Sequence, residues 1–301
     1  MRFGAHVSSS GGISKAIGRG VDLGCESLQV FTHNPRTWRP INHTDAEIAA
    51  FRAGAEAAGM GPLVSHGLYL MNLGAPDREV PTGPPGKPAT ATRNIYRSSI
   101  ESLTQHLTIG AALGLEGVVL HVGSFKGSTE DEAIARIGAG IAEATDAAGG
   151  DCAVFLENTA GAGDTIGRTF AQLRAVADAV DRPERLGFCL DSQHLFASGY
   201  PIHEPGGIDR VLEDFDQTVG IAKLRCLHLN DSKTAFGSNR DRHENIGDGE
   251  IGEAGMRSIL GAPPLQGLPV ILEVPGIEGT GPDLENMARV RRLHEEGLAA
   301  R

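Results

Sequence analysis

Residues 2–14, RFGAHVSSSGGIS, set a strand-length apolar run against a turn of three serines and two glycines. How that turn reads separates two folds. A doubly wound dinucleotide-binding sheet carries GxGxxG directly after its first strand, so that backbone can approach a pyrophosphate at a helix N-terminus. VSSSGGIS does not have that spacing. Seven further apolar runs follow along the chain: SLQVFT, PLVSHG, GVVLHVG, AVFLEN, LGFCLD, RCLHLN and VILEVP. Between them lie stretches of helical periodicity, among them TDAEIAAFRAGAEAAG, TEDEAIARIGAGIAEATDAAG, TFAQLRAVADAV, IDRVLEDFDQTVG and DLENMARVRRLHEEG. Eight strand–helix units whose strands are too apolar to leave one face in water predict a TIM (β/α)8 barrel spanning residues 1–301 as a single domain.

One segment breaks the rhythm. GAPDREVPTGPPGKPAT, residues 74–90, is too rich in Pro and Gly for a helix interior and too long for a routine connection, so it reads as a loop insertion. The chain is otherwise even in composition, with 40% hydrophobic and 22% charged residues, which suffices for a sizeable core. No run approaches the ~18–20 apolar residues of a membrane span, and MRFGAHVSSSGG lacks the order of a signal peptide. The expected location is cytoplasmic. Cys25, Cys152, Cys189 and Cys226 form no CxxC pair and read as buried, reduced and structural. The formal net charge of −11 argues against a surface broadly coated for nucleic acid, so any polyanion must meet local positive charge.

In a barrel, chemistry gathers at the C-terminal ends of the strands. The third strand closes on His66, the fourth on His121, the fifth on Glu157, and the sixth on Asp191 with His194 three residues later. The seventh closes on His228 and the eighth carries Glu273. A lone histidine ending a strand is commonly structural, but that reading would have to hold independently at each of six strands. The loop that follows, HLNDSKTAFGSNRDRH (residues 228–243), adds Asp241 and His243. Five histidines and four carboxylates exceed what one ion takes, since zinc usually has four ligands. Nine ligands with one bridging carboxylate suit three ions, and a set without cysteine favours Zn²⁺ or Mn²⁺. Three divalent ions would outweigh the four carboxylates by about two charges and make a cationic pocket in an acidic chain, fit for a phosphodiester.

At these residues the sequence resembles the endonuclease IV family of abasic-site (AP) endonucleases. The motifs run in order: GAHVS, FTHNPRTWRP, HGLYLMNLG, HVGS, LENTAG, LDSQHLFASGY, HLNDSKTAFGSNRDRHENIGDG and ILEVPG. The resemblance covers nearly the whole chain outside residues 75–90 and the C-terminal tail. It implies a barrel of the xylose-isomerase-like superfamily and three metals, expected to be Zn²⁺ with Mn²⁺ as an alternative at one or more positions. His66, His121 and Glu157 would hold the first; Glu157, Asp191, His228 and Glu273 the second; His194, Asp241 and His243 the third. Glu157 would bridge and orient a hydroxide nucleophile.

The implied reaction is hydrolysis of the phosphodiester 5′ to an abasic site, leaving a 3′-hydroxyl and a 5′-deoxyribose phosphate, with trimming of blocked 3′ ends. The implied partner is double-stranded DNA containing abasic sites, bound by a monomer in base excision repair. Arg36, Tyr69 and Leu70 match residues pushed into the duplex, with Lys233, Arg240 and Arg242 placed for phosphates. Read without the resemblance, Tyr69 and Leu70 could instead cap the barrel, and the three cations could belong to a solvated loop. Trp38 reads as packing beneath the Arg36 loop.

A rival shares the barrel. Sugar isomerases and epimerases of the same superfamily hold one or two ions with a set like Glu157, Asp191, His228 and Glu273. That reading leaves His66, His121, His194, Asp241 and His243 unexplained.

Overall fold

A computed structural model describes residues 1–83, 89–181 and 183–301. Eight parallel strands close a barrel: β1 (Arg2–Val7), β2 (Ser27–Val30), β3 (Leu63–His66), β6 (Gly117–Leu120), β7 (Ala153–Glu157), β8 (Leu186–Asp191), β9 (Leu224–His228) and β12 (Pro269–Leu272). β1 closes the ring by pairing with both β2 and β12. Two short antiparallel pairs stand outside it, β4 (Glu79–Thr82) with β5 (Ala91–Asn94) and β10 (Asp231–Ser232) with β11 (His243–Glu244).

The outer ring comprises α1 (Lys15–Asp22), α2 (Asp45–Ala57), α3 (Ile95–Leu113), α4 (Glu130–Ala148), α5 (Phe170–Asp178), α6 (Ser192–Ser198), α7 (Gly207–Thr218), α8 (Gly252–Gly261) and α9 (Leu284–Ala299). Their starts follow local chemistry. Thr44 and Thr129 each form a capping box with the glutamate three residues on, and the side chains of Thr169 and Asp283 cap α5 and α9. Among the described residues, no helix is long and apolar enough to cross a membrane.

Strand alternation divides the core in two. Residues such as Val118, Leu120, Val154 and Leu156 pack outward under the helices, while Val64, Val119, Phe155, Cys189, Cys226 and Ile271 form a separate cluster that fills the lumen. The Phe155 ring takes space that neighbouring strands must yield: a Cβ on Gly117 would lie 2.7 Å from it and one on Gly187 2.8 Å. All four cysteines are free and buried.

The segment at 74–90 is a correction to the expected loop. Its described part enters the β4–β5 hairpin, and residues 84–88 of the insertion lie outside the described residues. Asp77 ties the base of the hairpin to the start of α3, accepting from Asn94 Nδ2 at 2.7 Å and from Arg97 Nη2 at 2.6 Å.

On α3, His106 is fully buried, and its Nδ1 donates to the Ser102 carbonyl at 2.8 Å. Burial pushes this imidazole down to about 4. The unfolded chain therefore takes up the proton first as pH falls. Stability should be full above about pH 6.5 and decline towards pH 4, by about 1.4 kcal/mol per pH unit from this group. Urea denaturation of wild type and His106→Leu at pH 7 and pH 4.5 checks this, with a shallower pH slope expected in the variant.

Candidate metal centre

Each predicted strand-end residue stands two positions after a lumen-filling one: His66 after Val64, His121 after Val119, Glu157 after Phe155, Asp191 after Cys189, His228 after Cys226, Glu273 after Ile271. A strand repeats its face every two residues, so all six side chains turn into the barrel one layer above the apolar plug. That register, set by the core, brings the site together.

Glu157 lies at the centre and is fully buried. Its Oε2 is 3.2 Å from the Nε2 atoms of both His66 and His121. Its Oε1 is 3.0 Å from His228 Nδ1 and 3.4 Å from His194 Nδ1. Burial would raise this carboxyl, but the imidazoles, His121 and His228 foremost, hold it well below the usual carboxylate range. The same His228 nitrogen, Nδ1, stands 3.2 Å from Glu273 Oε2. Burial opposes charge on His228 too, yet Glu273 and Glu157 keep its imidazole well above its ordinary value.

His194 and the loop after β9 complete the set. Asp191 caps α6 by accepting from the His194 backbone N–H at 2.8 Å, which sets His194 over the lumen. Asp241 reaches His194 Nε2 and His243 Nε2, both at 3.3 Å, and His243 Nε2 lies 3.7 Å from Asp191 Oδ2. The loop is held from below. Buried Asp231 accepts from the backbone N–H groups of Gly247, Gly249 and Ile251, and Asn239, at a positive φ of 54°, donates from Nδ2 to the carbonyls of Ala160 and Ala197. The β10–β11 pairing then delivers His243 opposite Ser232.

Among the described residues, four groups have ligand atoms within 4.8 Å of one another, three of them drawn from the strand-end and loop residues: His66, His121 and Glu157; Glu157, Asp191, His228 and Glu273; and Asp191, His194 and His243. The third includes Asp191, while Asp241 stands within reach of both its histidines. Cys189, Cys226 and His228 meet the same spacing at the floor of the site. The donor set fits divalent cations. Among the described residues, the buried Nε2 atoms of His194 and His243 make no hydrogen bond although a carboxylate oxygen lies 3.3 Å from each, so these atoms surround a shared point without being aimed at one another. One oxygen of Glu157 likewise faces two imidazole nitrogens.

Residues 18–294 match the family described as xylose isomerase-like TIM barrel. A probable endonuclease 4 of Methanoculleus marisnigri is 39% identical over 291 residues, covering 96% of this chain and 98% of that protein. One from Halothermothrix orenii is 37% identical, covering 97% and 100%. The crystal structure of endonuclease IV from Thermus thermophilus superposes with a TM-score of 0.82 at 33% identity, over 100% of both chains. The chain belongs to the endonuclease IV family. A D-tagatose 3-epimerase-like protein, at 16% identity and a TM-score of 0.69, shares the fold.

Around the endonuclease IV family centre, the rim residues named from the sequence are exposed. Tyr69 is 62% exposed, yet its ring rests edge-on against Phe31 with centroids 5.3 Å apart. It borders three adjoining cavities of about 400, 580 and 790 Å³, the second of which contains His66, His121, His194, Asp241, His243 and Glu273. Leu70 lines the first cavity beside it and Arg36 the third. Arg242 lines the second and donates to the Asp241 carbonyl; Arg240 points outward; Lys233 lies 3.7 Å from Glu244, which leaves it less free than expected. Trp38 is partly buried against the core, as expected, with the Arg93 guanidinium 5.5 Å from its ring centroid.

Two residues of the same layer escaped the reading of strand ends. His6 stands two after Gly4 and Gln29 two after Ser27, in register with each other across β1 and β2. Gln29 is fully buried in a four-residue strand. A polar residue inside so apolar a run is itself a signal, because buried polar groups need partners.

Proposed function

We propose that this chain is a metal-dependent DNA repair endonuclease that hydrolyses the phosphodiester 5′ to an abasic site, leaving a 3′-hydroxyl and a 5′-deoxyribose phosphate. The observation that carries the reading is Glu157, whose two oxygens face separate histidine sets across the mouth of the barrel. His66, His121 and Glu157 would hold one ion, Glu157, Asp191, His228 and Glu273 a second, and His194, Asp241 and His243 a third, with Zn²⁺ or Mn²⁺ suited to these ligands. Bound divalent ions supply a water of lowered pKa and Lewis-acid stabilisation of phosphate oxygens.

The chain's own residues do the rest. Glu157, shared by two sets, keeps them at a fixed spacing, and the buried floor of Phe155 and Ile271 keeps bulk water from entering below. Asp241, 55% exposed on its side chain, sits at the open edge, where its set faces the incoming backbone. Local positive charge also supports a DNA partner. Among the described residues, Arg36, Arg240 and Arg242 have no carboxylate in ion-pair range, unlike Lys233, which lies 3.7 Å from Glu244. Cations left unpaired at the rim are available to phosphates.

Tyr69 and Leu70 would enter the duplex where the base is missing, the Phe31 contact keeping the Tyr69 ring fixed while its face stays open. Tyr69→Ala should weaken binding to an abasic duplex by about 10–100-fold, the worth of one aromatic stack. Titration by fluorescence anisotropy against an undamaged duplex checks it, and equal loss on both would count against a wedge.

The test of the reaction uses a labelled duplex with one tetrahydrofuran site. Its 5′-side product should carry a 3′ end that a polymerase extends without further treatment. Cleavage on the 3′ side, or an end that cannot be extended, would refute the proposed chemistry. The same site would act on blocked 3′ ends, and removal of a 3′-phosphate from a nicked duplex, lost in parallel with incision on chelation, checks that activity.

A further inference from the structure

Gln29 and His6 complete the layer of side chains above the barrel plug, and their contacts run to two of the residues placed around the second ion. Gln29 Nε2 lies 2.7 Å from Glu273 Oε1, and Gln29 Oε1 lies 2.8 Å from His228 Nε2. His6 Nδ1 lies 2.8 Å from the same Glu273 oxygen.

The chemistry of the groups fixes the direction of each bond. An ionised carboxylate only accepts, so the end of Gln29 facing Glu273 is its NH₂; that nitrogen also lies 2.9 Å from His6 Nδ1, and both nitrogens meet the one Glu273 oxygen. The Gln29 carbonyl therefore faces His228 and must accept, so His228 carries a proton on Nε2. That leaves Nδ1 as the nitrogen with a free lone pair in the neutral ring, and Nδ1 is the atom facing Glu157 Oε1 at 3.0 Å and Glu273 Oε2 at 3.2 Å.

We propose that Gln29 is a positioning residue of the centre: it selects the His228 tautomer that offers Nδ1 to a divalent cation and, with His6, holds Glu273 by one oxygen so that the other faces the same point. The proposal rests on the metal-dependent reading above. It gives a role to a neutral amide buried in the barrel, since the bond a histidine makes through one nitrogen decides which nitrogen is free to ligate. It also explains why the amide is needed. An apolar side chain could not accept from His228, and a glutamate could accept there but would set a second negative charge against Glu273.

Two-bond ¹H–¹⁵N correlation spectra of ¹⁵N-histidine-labelled, zinc-loaded protein test this directly, with His228 identified by a His228→Asn sample. The wild type should show a His228 proton on Nε2 and none on Nδ1. In Gln29→Met the pattern should lose that single tautomer, and competition with a chelating dye should show one ion bound about 10–100-fold more weakly while the others are unchanged. Incision should fall with it and return in excess zinc. Gln29→Glu should weaken the same ion.

A proton on Nδ1 in the zinc-loaded wild type would overturn the proposal, as would a folded Gln29→Met with the wild-type spectrum and zinc affinity. The wild-type spectrum does not depend on Gln29→Met, so a misfolded Gln29→Met leaves the proposal open to refutation. Zinc bound with the expected tautomer but without incision of an abasic duplex would refute the proposed substrate and leave the role of Gln29 standing.

Discussion

Glu157→Gln is expected to lower incision of an abasic duplex by at least about 10³-fold, on the scale of removing a group that stabilises charge in the reacting state. The change keeps the volume and shape of the side chain, so the Phe155 plug beneath it and the β7 register remain. What changes is the chemistry at its two oxygens. One becomes an NH₂ that would point a donor either at the nitrogens of His66 and His121 or at those of His194 and His228. Neither set would then share an anionic ligand with the other, and zinc content should fall along with rate. A steady-state assay at saturating zinc, paired with metal analysis of the same sample, checks it; activity within tenfold of wild type would show that Glu157 does not bridge.

His243→Ala should lower the rate by about 10²-fold while leaving the fold intact. Its ring is partly exposed, and the hairpin of β10 and β11 that carries it is anchored elsewhere, by Asp231 and Asn239. The variant should bind one ion fewer. In the metal-free chain, burial works against charge on His243, but the adjacent Asp241 carboxylate and the nearby Asp191 and Glu273 lift its imidazole to about 9. At pH 7 this histidine is therefore protonated, and a cation must displace that proton.

Affinity for the ion in this set should accordingly rise with pH until about 9 and lose that dependence in the variant. The sign for stability is opposite. A histidine raised from about 6.5 stabilises the metal-free fold fully below that value and progressively less as pH climbs through 9. Calorimetric titration with zinc at several pH values, and urea denaturation of the metal-free protein, read the two effects separately. Unaltered turnover and ion count would make His243 an ordinary loop residue.

The centre was legible in the sequence because barrel chemistry sits where strands end, and those ends hold residue types seldom left unpaired in a core. His66, His121, Glu157, Asp191, His228 and Glu273 needed only the strands to be found. Asp241 and His243 lie thirteen and fifteen residues past His228, and only the resemblance attached them to a particular ion. The structure adds the reason they arrive: Asp231, which the sequence reading left without a role, clamps the loop with backbone bonds.

Gln29 and His6 were hidden for a different reason. Each obeys the same two-residue alternation as the ligands, but Gln29 carries no charge and His6 precedes the last residue of its strand, so a search for ionisable strand ends passes over both. The β4–β5 hairpin was obscured by composition. Pro81 within EVPT argues against a strand except at an edge, which is the position it takes, and its pairing with ATRN spans a Pro-rich stretch that local pattern cannot bridge.

The most direct test of a multi-ion phosphodiesterase centre is a stepwise zinc titration of the stripped protein, with 5′ incision of the tetrahydrofuran duplex measured after each equivalent. Little incision is expected at one equivalent and full incision only as the third is bound. Full activity at one equivalent, or none at three, would contradict it.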